Sequence, residues 1–507
     1  MKTLVIAEKP SVARDIARVL GCAKKENGAL EGNQYIVTWA LGHLVTLKDP
    51  EDYDKKYKEW NMAVLPMMPE KLQIKVIPQT GKQYHAVTTQ LARKDVGEEV
   101  IATDAGREGE LVARWILDKA HNQKPCKRLW ISSVTDKAIR EGFASLKDAK
   151  EYDNLYRAAV SRAEADWLVG INATRALTCK YNAQLSCGRV QTPTLAMIAQ
   201  REQEIREFVP KPYYTVTAAA GGAVYTWKDE KSGGTRISDP EKAKQIAEKA
   251  KRYPLVLQKV EKKKKQKEAP LLYDLTELQR DASARFGYSA KQTLNLMQSL
   301  YETHKVLTYP RTDSRYLTKD IVPTLKERLD AVSIGPYKTL AQQAKRRPLK
   351  EKPGFVNDAK VSDHHAIIPT EQYVQLSALS NEERRIYDLV VRRFLAVLLP
   401  PCVYEETVIQ ASIEKECFTA RGKRMVEKGW QEAYEDNRYD DEDEAKEEVR
   451  EQNLPLLEAG MKIGQPKISL REGKTKPPAR FTEGTLLSAM ENPVRYMENR
   501  DSSLVKT

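Results

Sequence analysis

A tyrosine followed by proline and arginine is the feature of this chain most able to do chemistry. Tyr309 lies in the octapeptide Leu307–Ser314, directly before Pro310 and two residues before Arg311. A phenol has a pKa of ~10, so a nucleophilic tyrosine needs help at neutral pH. Arg311 offers a fixed cation that can lower that pKa or hold a phosphate, and Pro310 turns the chain out of helical geometry. The alternative is a buried tyrosine in a proline turn.

Acidic residues follow two separate apolar strands. Glu8 follows the first strand of the chain, and Asp104 and Glu108 follow another, with Glu110 close behind. The carboxyl ends of parallel strands meet at one edge of an open α/β sheet, where ligands bind. Because Mg²⁺ prefers oxygen ligands, the pattern predicts a magnesium site at this edge. The alternative is a charged helix start, since acidic residues favour the first turn.

The composition favours a partner that carries many negative charges. The 507 residues suffice for several domains, and 84 Lys+Arg against 71 Asp+Glu give a net charge of +13. Such an excess is typical of proteins that bind a polyanion. An acidic membrane surface is the alternative, but no apolar run is long enough to span a bilayer, so we expect no membrane partner.

The sequence lacks the motifs that would indicate zinc or ATP binding. No two of the six cysteines are spaced Cys-x-x-Cys, so we expect no zinc. Scattered cysteines suit reduced thiols in the cytoplasm. No Gly-x-x-x-x-Gly-Lys motif occurs, so we expect no use of ATP.

The N-terminal half shows two kinds of pattern. Residues 1–150 alternate strand and helix signals, which predicts a mostly parallel sheet. Residues 151–210 are predicted to be largely helical, with a break at Ser186-Cys187-Gly188. From about 212 to 275 the chain is strand-rich, with a helical insert near 240–252.

A second helical region begins near Leu275 and ends at Pro400-Pro401, after which strands resume. Ser289 is predicted to cap a helix that precedes Tyr309. The strand-rich region also contains a basic run, Lys262–Lys265 with Lys267. A solvated strand edge or hinge is the first interpretation of this run, and a strip that follows phosphates is the alternative.

Two of these segments resemble known families. The residues around Tyr309 closely resemble the active-site segment of type IA DNA topoisomerases. Glu8, Asp104 and Glu108 match the Toprim pattern, which is a Glu after the first strand and Asp-x-Asp-x-Glu after a later one. Gly106 stands at the central acid of that pattern. The resemblance therefore implies one Mg²⁺, held by Glu8, Asp104 and Glu108, and disfavours a second.

Further blocks extend the resemblance to the bacterial topoisomerase III family over nearly the whole chain. They occur in the family's order, which makes an accidental match very unlikely. The blocks are Ala7–Ser11, Arg162–Asn172 with Thr174-Arg175, Ser186–Leu195, Ser362–Thr370 and Phe481–Leu487.

The resemblance implies an α/β and α+β multidomain fold, in which a Rossmann-like Toprim domain joins helical and β domains in a ring. The expected domains are Toprim (1–150), a helical DNA-binding domain (151–211 and 472–507), a β-rich hinge or arch domain (212–275 and 402–471) and a helical domain with the tyrosine (276–401). The chain is expected to lack part of the helical DNA-binding domain at its C-terminus.

The resemblance also assigns roles to residues. Tyr309 cleaves single-stranded DNA through a 5′-phosphotyrosyl link without ATP, and strand passage then relaxes negative supercoils and decatenates DNA. Lys9 and Arg311 stabilise the phosphate, and Glu8 supplies a proton to the leaving oxygen. His364 is preferred over His365 as the histidine at the scissile phosphate.

The DNA-binding residues come from two of the matching blocks. Arg162 and Asp166 lie at i, i+4 and are expected to pair, with the aspartate coupling the arginine to DNA. Arg189 offers a forked donor for a phosphate, and Gly188 permits close backbone approach. The expected set is Arg162, Asp166, Arg175, Ser186, Cys187, Gly188, Arg189, Val190, Gln191 and Thr192.

Three other functions share part of this pattern. A Toprim primase or nuclease would share the acids but not Tyr309. A tyrosine recombinase uses such a nucleophile on another fold and leaves a 3′-phosphotyrosine. A non-catalytic DNA-binding protein is the third.

The expected partners are single-stranded and duplex DNA, and a helicase is a further candidate. We expect a cytoplasmic, nucleoid-associated monomer.

Overall fold

The computed structural model describes residues 1–347, 354–361, 364–434 and 451–497. Ser362 and Asp363, from the histidine block, and the last ten residues of the expected helical DNA-binding domain lie outside these ranges. Among the residues described, no helix is both long enough and apolar enough to cross a membrane.

The N-terminal region forms a seven-stranded sheet flanked by helices, with strand order β2-β3-β4-β1-β7-β8-β9. The four central strands, β4, β1, β7 and β8, are parallel, as the sequence predicts. In chain order the elements are β1 (Lys2–Ala7), α1 (Pro10–Val19), β2 (Lys24–Glu26), β3 (Ala29–Glu31), β4 (Tyr35–Trp39), β5 (Val45–Leu47), β6 (Ile74–Val76), α2 (Gly81–Leu91), β7 (Val96–Ala102), α3 (Arg107–Lys119), β8 (Cys126–Arg128), α4 (Asp136–Ala144) and β9 (Lys147–Asp148).

Central strands and short turns place the acidic residues. β1 is apolar because both of its faces are covered, and Leu4 to Ala7 are fully buried. β1 pairs in register with β7, so that Ala7 lies opposite Ala102. Glu8 and Asp104 therefore leave the sheet side by side at its carboxyl edge.

One glutamate is buried inside this sheet, away from the carboxyl edge. Glu99 on β7 is fully buried, and its Oε2 accepts a hydrogen bond from Asn122 Nδ2 at 2.7 Å. Its Oε1 has no hydrogen-bond partner among the described residues. Burial raises the pKa of Glu99 to about 7, with Lys124 and Asn122 opposing the rise.

We expect Glu99→Gln to remove part of the pH dependence of stability. The folded state keeps the Glu99 proton up to about pH 7, whereas an ordinary glutamate loses it near 4.5. Its stability contribution is therefore present at low pH and is lost as the pH rises through about 7. Urea unfolding should show the variant more stable than wild type by ~3 kcal/mol above pH 7 and similar near pH 4. Parallel pH profiles would contradict this.

Two long helices follow, α5 (Asp153–Tyr181) and α6 (Gln191–Glu207). The break between them contains Ser186 to Gly188, as predicted. α5 packs along α3 of the first region, with Ala159 buried at the contact. This packing places the face of α5 that carries Arg162 and Asp166 next to the carboxyl edge of the sheet.

A second sheet has the main strand order β16-β12-β13-β14-β11-β10-β17, and β15 pairs with β14. α7 covers one face of the sheet through Ala243, Ile246 and Ala250. The sequence-predicted helical insert near 240–252 is this helix. The elements are β10 (Pro212–Ala220), β11 (Ala223–Trp227), α7 (Pro240–Arg252) and β12 (Leu255–Lys267), joined later in the chain by β13 (Cys402–Ile413), β14 (Glu416–Glu427), β15 (Glu451–Gln452), β16 (Lys462–Ile463) and β17 (Lys467–Lys474).

In the sequence, the segment between β12 and β13 folds into a helical body, and this body carries Tyr309. Its core includes Met297 and Leu300 of α9 with Phe394 of α12. Ser289 caps α9 by accepting a hydrogen bond from the Gln292 backbone at 3.1 Å, as predicted. The helices are α8 (Leu275–Phe286), α9 (Ala290–Glu302), α10 (Leu325–Ala331), α11 (Lys338–Lys345) and α12 (Asn381–Leu398). A helix near the end of the chain, α13 (Glu483–Glu491), packs on α8.

Candidate active site

Tyr309 lies where the helical body meets the carboxyl edge of the first sheet. Its backbone N–H donates to the Ser132 carbonyl at 2.9 Å, and its hydroxyl donates to Asp104 Oδ2 at 3.3 Å. Its ring lies 4.4 Å from the His364 ring and 5.4 Å from the Tyr301 ring. The tyrosine is therefore buried between two bodies and aimed at the carboxylates that the sequence singles out.

The surroundings of Tyr309 keep its hydroxyl protonated in the free protein. Burial raises the pKa of Tyr309 well above its ordinary value, and the negative charges of Asp104 and Glu8 add to the rise. Arg311 acts in the opposite direction. Arg311 therefore acts on this pKa in the expected direction, but burial and the two carboxylates outweigh its effect. The phenol needs a proton acceptor when it reacts.

Glu8 and Asp104 meet as a buried acidic pair. The Asp104 backbone N–H donates to Glu8 Oε2 at 3.1 Å. Burial and the neighbouring Asp104 raise the pKa of Glu8 to about 7, and burial also raises the pKa of Asp104. At neutral pH this pair can therefore hold and release a proton beside the Tyr309 hydroxyl.

Two cations lie close to the reacting groups, Lys9 beside the acidic pair and Arg311 beside Tyr309. Lys9 Nζ lies 2.6 Å from Glu302 Oε1, a residue on α9 of the helical body. Arg311 is exposed directly after the Tyr309-Pro310 turn. Lys9 is therefore engaged by the helical body, whereas Arg311 is open to solvent.

The two histidines have different partners, and the His364 ring contacts the Tyr309 ring. The His364 Nε2–H donates to the Ala105 carbonyl, so its Nδ1 accepts from the Ser132 hydroxyl at 3.0 Å. His365 instead donates from Nδ1 to the Ala366 carbonyl at 2.7 Å. Burial lowers the pKa of His364 to about 3, so its ring is neutral. His364 is therefore the histidine that packs on Tyr309.

The third acid of the predicted metal site is paired with other residues. Glu108 Oε1 accepts from Arg162 at 2.8 Å, and its Oε2 lies 3.6 Å from His43 Nε2. Within the ranges that the structure covers, no three His, Cys, Asp or Glu side chains gather to hold a metal. The adjacent carboxylates of Glu8 and Asp104 nevertheless offer oxygen ligands of the kind that Mg²⁺ prefers.

Glu110 has a structural role, which corrects its inclusion among the candidate acids. It is fully buried, and its Oε1 accepts from Arg128 Nε at 2.6 Å while Oε2 accepts from Arg114 at 3.2 Å. Arg128 in turn donates to the carbonyls of Thr103 and Asp104, each at 2.7 Å. This buried pair therefore fixes the turn that presents Asp104.

Arg162 and Asp166 are not paired with each other, which corrects the expectation from their spacing. Arg162 binds Glu108, and Asp166 accepts from Arg189 Nε of the segment after the helix break. Both ion pairs are largely exposed. Residue spacing on one helix could not show these partners, because they come from other parts of the chain.

Arg175 is buried, although the sequence places it among the DNA-binding residues. Only 5% of it is exposed, and its guanidinium donates to the Tyr57 carbonyl and lies 5.2 Å from the Trp60 ring. It ties α5 to the segment between β5 and β6. In this conformation its contacts are therefore structural, and its role in DNA binding stays a prediction.

The remaining predicted strand-binding residues form an exposed loop at the start of α6. Gly188 N–H donates to Thr192 Oγ1 at 3.0 Å, and Cys187 N–H donates to Thr174 Oγ1 at 2.9 Å. A Cβ added at Gly188 would lie 3.0 Å from the Gln191 side chain, so the turn is tight. Ser186 and Val190 belong to the same open loop.

Sequence reasoning missed several residues that shape this site. Ser132 binds both Tyr309 and His364, Glu302 binds Lys9, and Trp130 stacks 6.1 Å from His364. None of these lies within a motif with distinctive spacing. The signal that could have found Ser132 is its position just after a central parallel strand, where open sheets place functional groups.

Comparisons with known proteins agree with this geometry. The sequence model of the DNA topoisomerase family matches residues 150–493, and that of the Toprim domain matches residues 3–134. The DNA topoisomerase 3 of Bacillus subtilis strain 168 is 58% identical over 506 residues, which cover 100% of this chain and 69% of that protein. The DNA topoisomerase 3 of Bacillus anthracis is 59% identical over 507 residues, with the same shares.

A solved structure shows the same fold at low identity. The full-length topoisomerase I from Thermotoga maritima superposes with a TM-score of 0.71 and 23% identity, over 96% of this chain and 75% of that one. The chain belongs to the DNA topoisomerase family, and it is a type IA enzyme with a Toprim domain, a magnesium-binding fold. Within the family it falls with the topoisomerase III proteins.

Proposed function

We propose that Tyr309 attacks a backbone phosphorus of single-stranded DNA. Its Oη forms a bond to phosphorus while the bond from phosphorus to O3′ breaks, which leaves a 5′-phosphotyrosyl link and a free 3′-hydroxyl. The observation that carries the proposal is the Tyr309 hydroxyl of one body held 3.3 Å from Asp104 of the other. Because the link keeps the energy of the phosphodiester, religation needs no ATP.

Two carboxylates account for the protons. The Tyr309 proton passes to Asp104, whose Oδ2 accepts its hydrogen bond. Glu8, protonated beforehand, gives its proton to the leaving O3′. In religation each transfer runs backwards, with Glu8 as the base for the 3′-hydroxyl. The adjacent positions of Glu8 and Asp104 at the carboxyl edge of the sheet support this division of roles.

Three further residues stabilise the phosphate as charge develops on it. Arg311 meets it from the open side of the Tyr309 turn. Lys9 leaves Glu302 and meets it from the sheet. His364 donates from Nε2–H once DNA replaces the Ala105 carbonyl as acceptor.

Magnesium, when bound, would assist the rejoining half of the reaction. Glu8 and Asp104 would hold one ion, and Glu108 would join them if it left Arg162 and His43. When bound, the ion supplies positive charge that keeps the phosphate of the broken strand near the 3′-hydroxyl. Gly106 provides no carboxylate for a second ion.

The remaining regions would bind and pass DNA. We assign residues 1–150 to the Toprim domain, 151–211 and 472–507 to the helical DNA-binding domain, 212–275 and 402–471 to the β-rich hinge, and 276–401 to the domain that carries Tyr309. Together they would form a ring whose opening after cleavage lets another strand or duplex through, giving relaxation of negative supercoils and decatenation. The enzyme would act as a cytoplasmic, nucleoid-associated monomer, with a helicase as a candidate partner.

A single-strand cleavage assay tests the proposal. A short oligonucleotide labelled at either end is incubated with the enzyme, with Mg²⁺ or with a chelator, and quenched in denaturant. We expect protein linked to the 5′ end of the downstream fragment in both conditions, and rejoining only with Mg²⁺. Protein linked to a 3′ end would indicate a recombinase-type reaction instead.

We expect Arg189→Ala and Arg175→Ala to fail in different ways. Arg189 is exposed beside the strand-binding loop, so its loss should weaken single-strand binding and reduce the slope of log K against log salt by ~0.7. Arg175 is buried, so its loss should lower thermal stability and leave that slope unchanged. Binding titrations at several salt concentrations, with melting curves, separate the two. A reduced salt slope with unchanged thermal stability in Arg175→Ala would instead indicate that Arg175 binds DNA.

A further inference from the structure

The ends of three neighbouring strands form a ribbon with an excess of positive charge. This basic ribbon consists of residues 261–267 of β12, 402–407 of β13 and 421–427 of β14. It contains eight Lys or Arg residues against four Glu. The chemistry proposed at Tyr309 uses none of them.

The lysines of the ribbon lie along an open sheet edge. Lys262 to Lys265 are all exposed, and so are the ribbon residues Arg424 to Glu427 on β14. β12 pairs with β13 on one side, but on its other side, among the residues that the structure describes, the pairing with β16 is limited to Leu255 and Val256. The lysines on both faces of β12 are therefore accessible from solvent.

Ion pairing within the ribbon leaves part of its positive charge unneutralised. Lys263 lies 3.3 Å from Glu261, and Lys265 pairs with Glu406. Lys262 and Lys264 form no ion pair with any residue that the structure describes. Alternate residues on a strand lie ~6.6 Å apart, so these two point from one face at a regular spacing.

A polar cavity continues the ribbon on its opposite face. The cavity has a volume of 760 Å³ and lies under the turn that follows β11. Arg421 belongs to both the cavity lining and the ribbon. The lining also includes donors such as Lys228, Lys231, Gln258, Gln410 and Thr419, together with the acidic residues Asp229 and Glu230.

The chemistry of the ribbon favours duplex DNA over a single strand. Binding of single strands without sequence preference uses open aromatic rings on which bases stack. Tyr404 is the one aromatic residue in the ribbon sequence, and Lys423 Nζ lies over its ring at 4.7 Å. Cations without open rings suit the phosphate backbone of a duplex, whose groove can also receive a β-ribbon.

The ribbon is connected in the chain to the helical body that carries Tyr309. β12 leads directly towards α8 of the helical body that carries Tyr309, and β13 follows α12 of that body. Trp430 Nε1 donates to the Lys267 carbonyl at 2.9 Å and so fixes the end of the ribbon. We infer that the basic ribbon holds the backbone of the duplex segment that is passed through the break, an inference that rests on the proposed function.

A paired-lysine variant tests this inference in the full chain. In Lys262→Gln/Lys264→Gln we expect the slope of log K against log salt for duplex binding to fall by ~1.8, because two phosphate contacts are lost. Relaxation of negatively supercoiled plasmid should slow at least about 5-fold, while cleavage of a short single strand stays at the wild-type rate. The matched control is Lys244→Gln/Lys251→Gln, which removes two exposed lysines from α7 and should change none of these.

Each result has a separate meaning. A duplex-binding slope equal to that of wild type would overturn the role of the ribbon and leave the proposed cleavage intact. A reduced slope for a single strand but not for a duplex would also overturn it, because the ribbon would then bind the cleaved strand. Absence of a 5′-linked product in wild type and both variants would contradict the proposed function, whereas the binding slopes would still test the ribbon.

Discussion

Tyr309→Phe is expected to lose covalent DNA capture by at least ~10⁴-fold while binding single-stranded DNA as well as wild type does. The substitution removes only the hydroxyl, so the ring keeps its packing against His364 and Tyr301. The variant then lacks the hydroxyl proposed to form the bond to phosphorus. The measurement is retention of labelled DNA on the protein in a denaturing gel, with binding followed separately by anisotropy.

Tyr301→Phe is the matched control for this experiment. Tyr301 is also buried, lies 5.4 Å from Tyr309, and loses the same hydroxyl. We expect this variant to capture DNA within a few fold of wild type. Capture by the Tyr309→Phe variant, or equal loss in both variants, would show that the hydroxyl of Tyr309 is not the nucleophile.

Lys9→Met is expected to slow single-strand cleavage by ~10²–10³-fold, the range found when one group that stabilises a developing anion is removed. Lys9 follows the acid Glu8 at the carboxyl edge of the sheet, and in the free protein it binds Glu302 across the boundary between two bodies. Single-turnover cleavage of a labelled oligonucleotide measures the loss.

Glu302→Gln distinguishes catalysis from a structural ion pair. If Lys9 acts on the phosphate, removing its partner should leave cleavage within about 10-fold of wild type, because the lysine is then freer to move. If the pair only joins the two bodies, both variants should lose activity equally, and the double variant should lose no more. The second pattern would contradict the role proposed for Lys9.

Much of the fold follows from local patterns in the sequence. The alternating strands and helices of residues 1–150 predict a mostly parallel sheet, and the structure confirms parallel pairing of its four central strands. The cap at Ser289 and the helical insert at α7 are also confirmed. These features depend on hydrophobic periodicity and capping residues, which act within a few residues of one another.

Long-range partners could not be predicted in the same way. Lys9 and Glu302 are 293 residues apart, and Ser132 and His364 are 232 residues apart. The partners of Arg162 and Asp166 likewise come from other segments and replace the pairing that an i, i+4 spacing suggests. Burial of Glu110 and Arg175 depends on packing between distant parts of the chain, so their charge alone could not distinguish a structural role from a functional one.

The most direct measurement is mass spectrometry of the enzyme after it has been quenched during cleavage and digested with nuclease and protease. The account predicts a nucleotide joined through its 5′-phosphate to the peptide that contains Tyr309, and no such peptide from Tyr309→Phe. A nucleotide found on another residue, or joined through a 3′-phosphate, would contradict it.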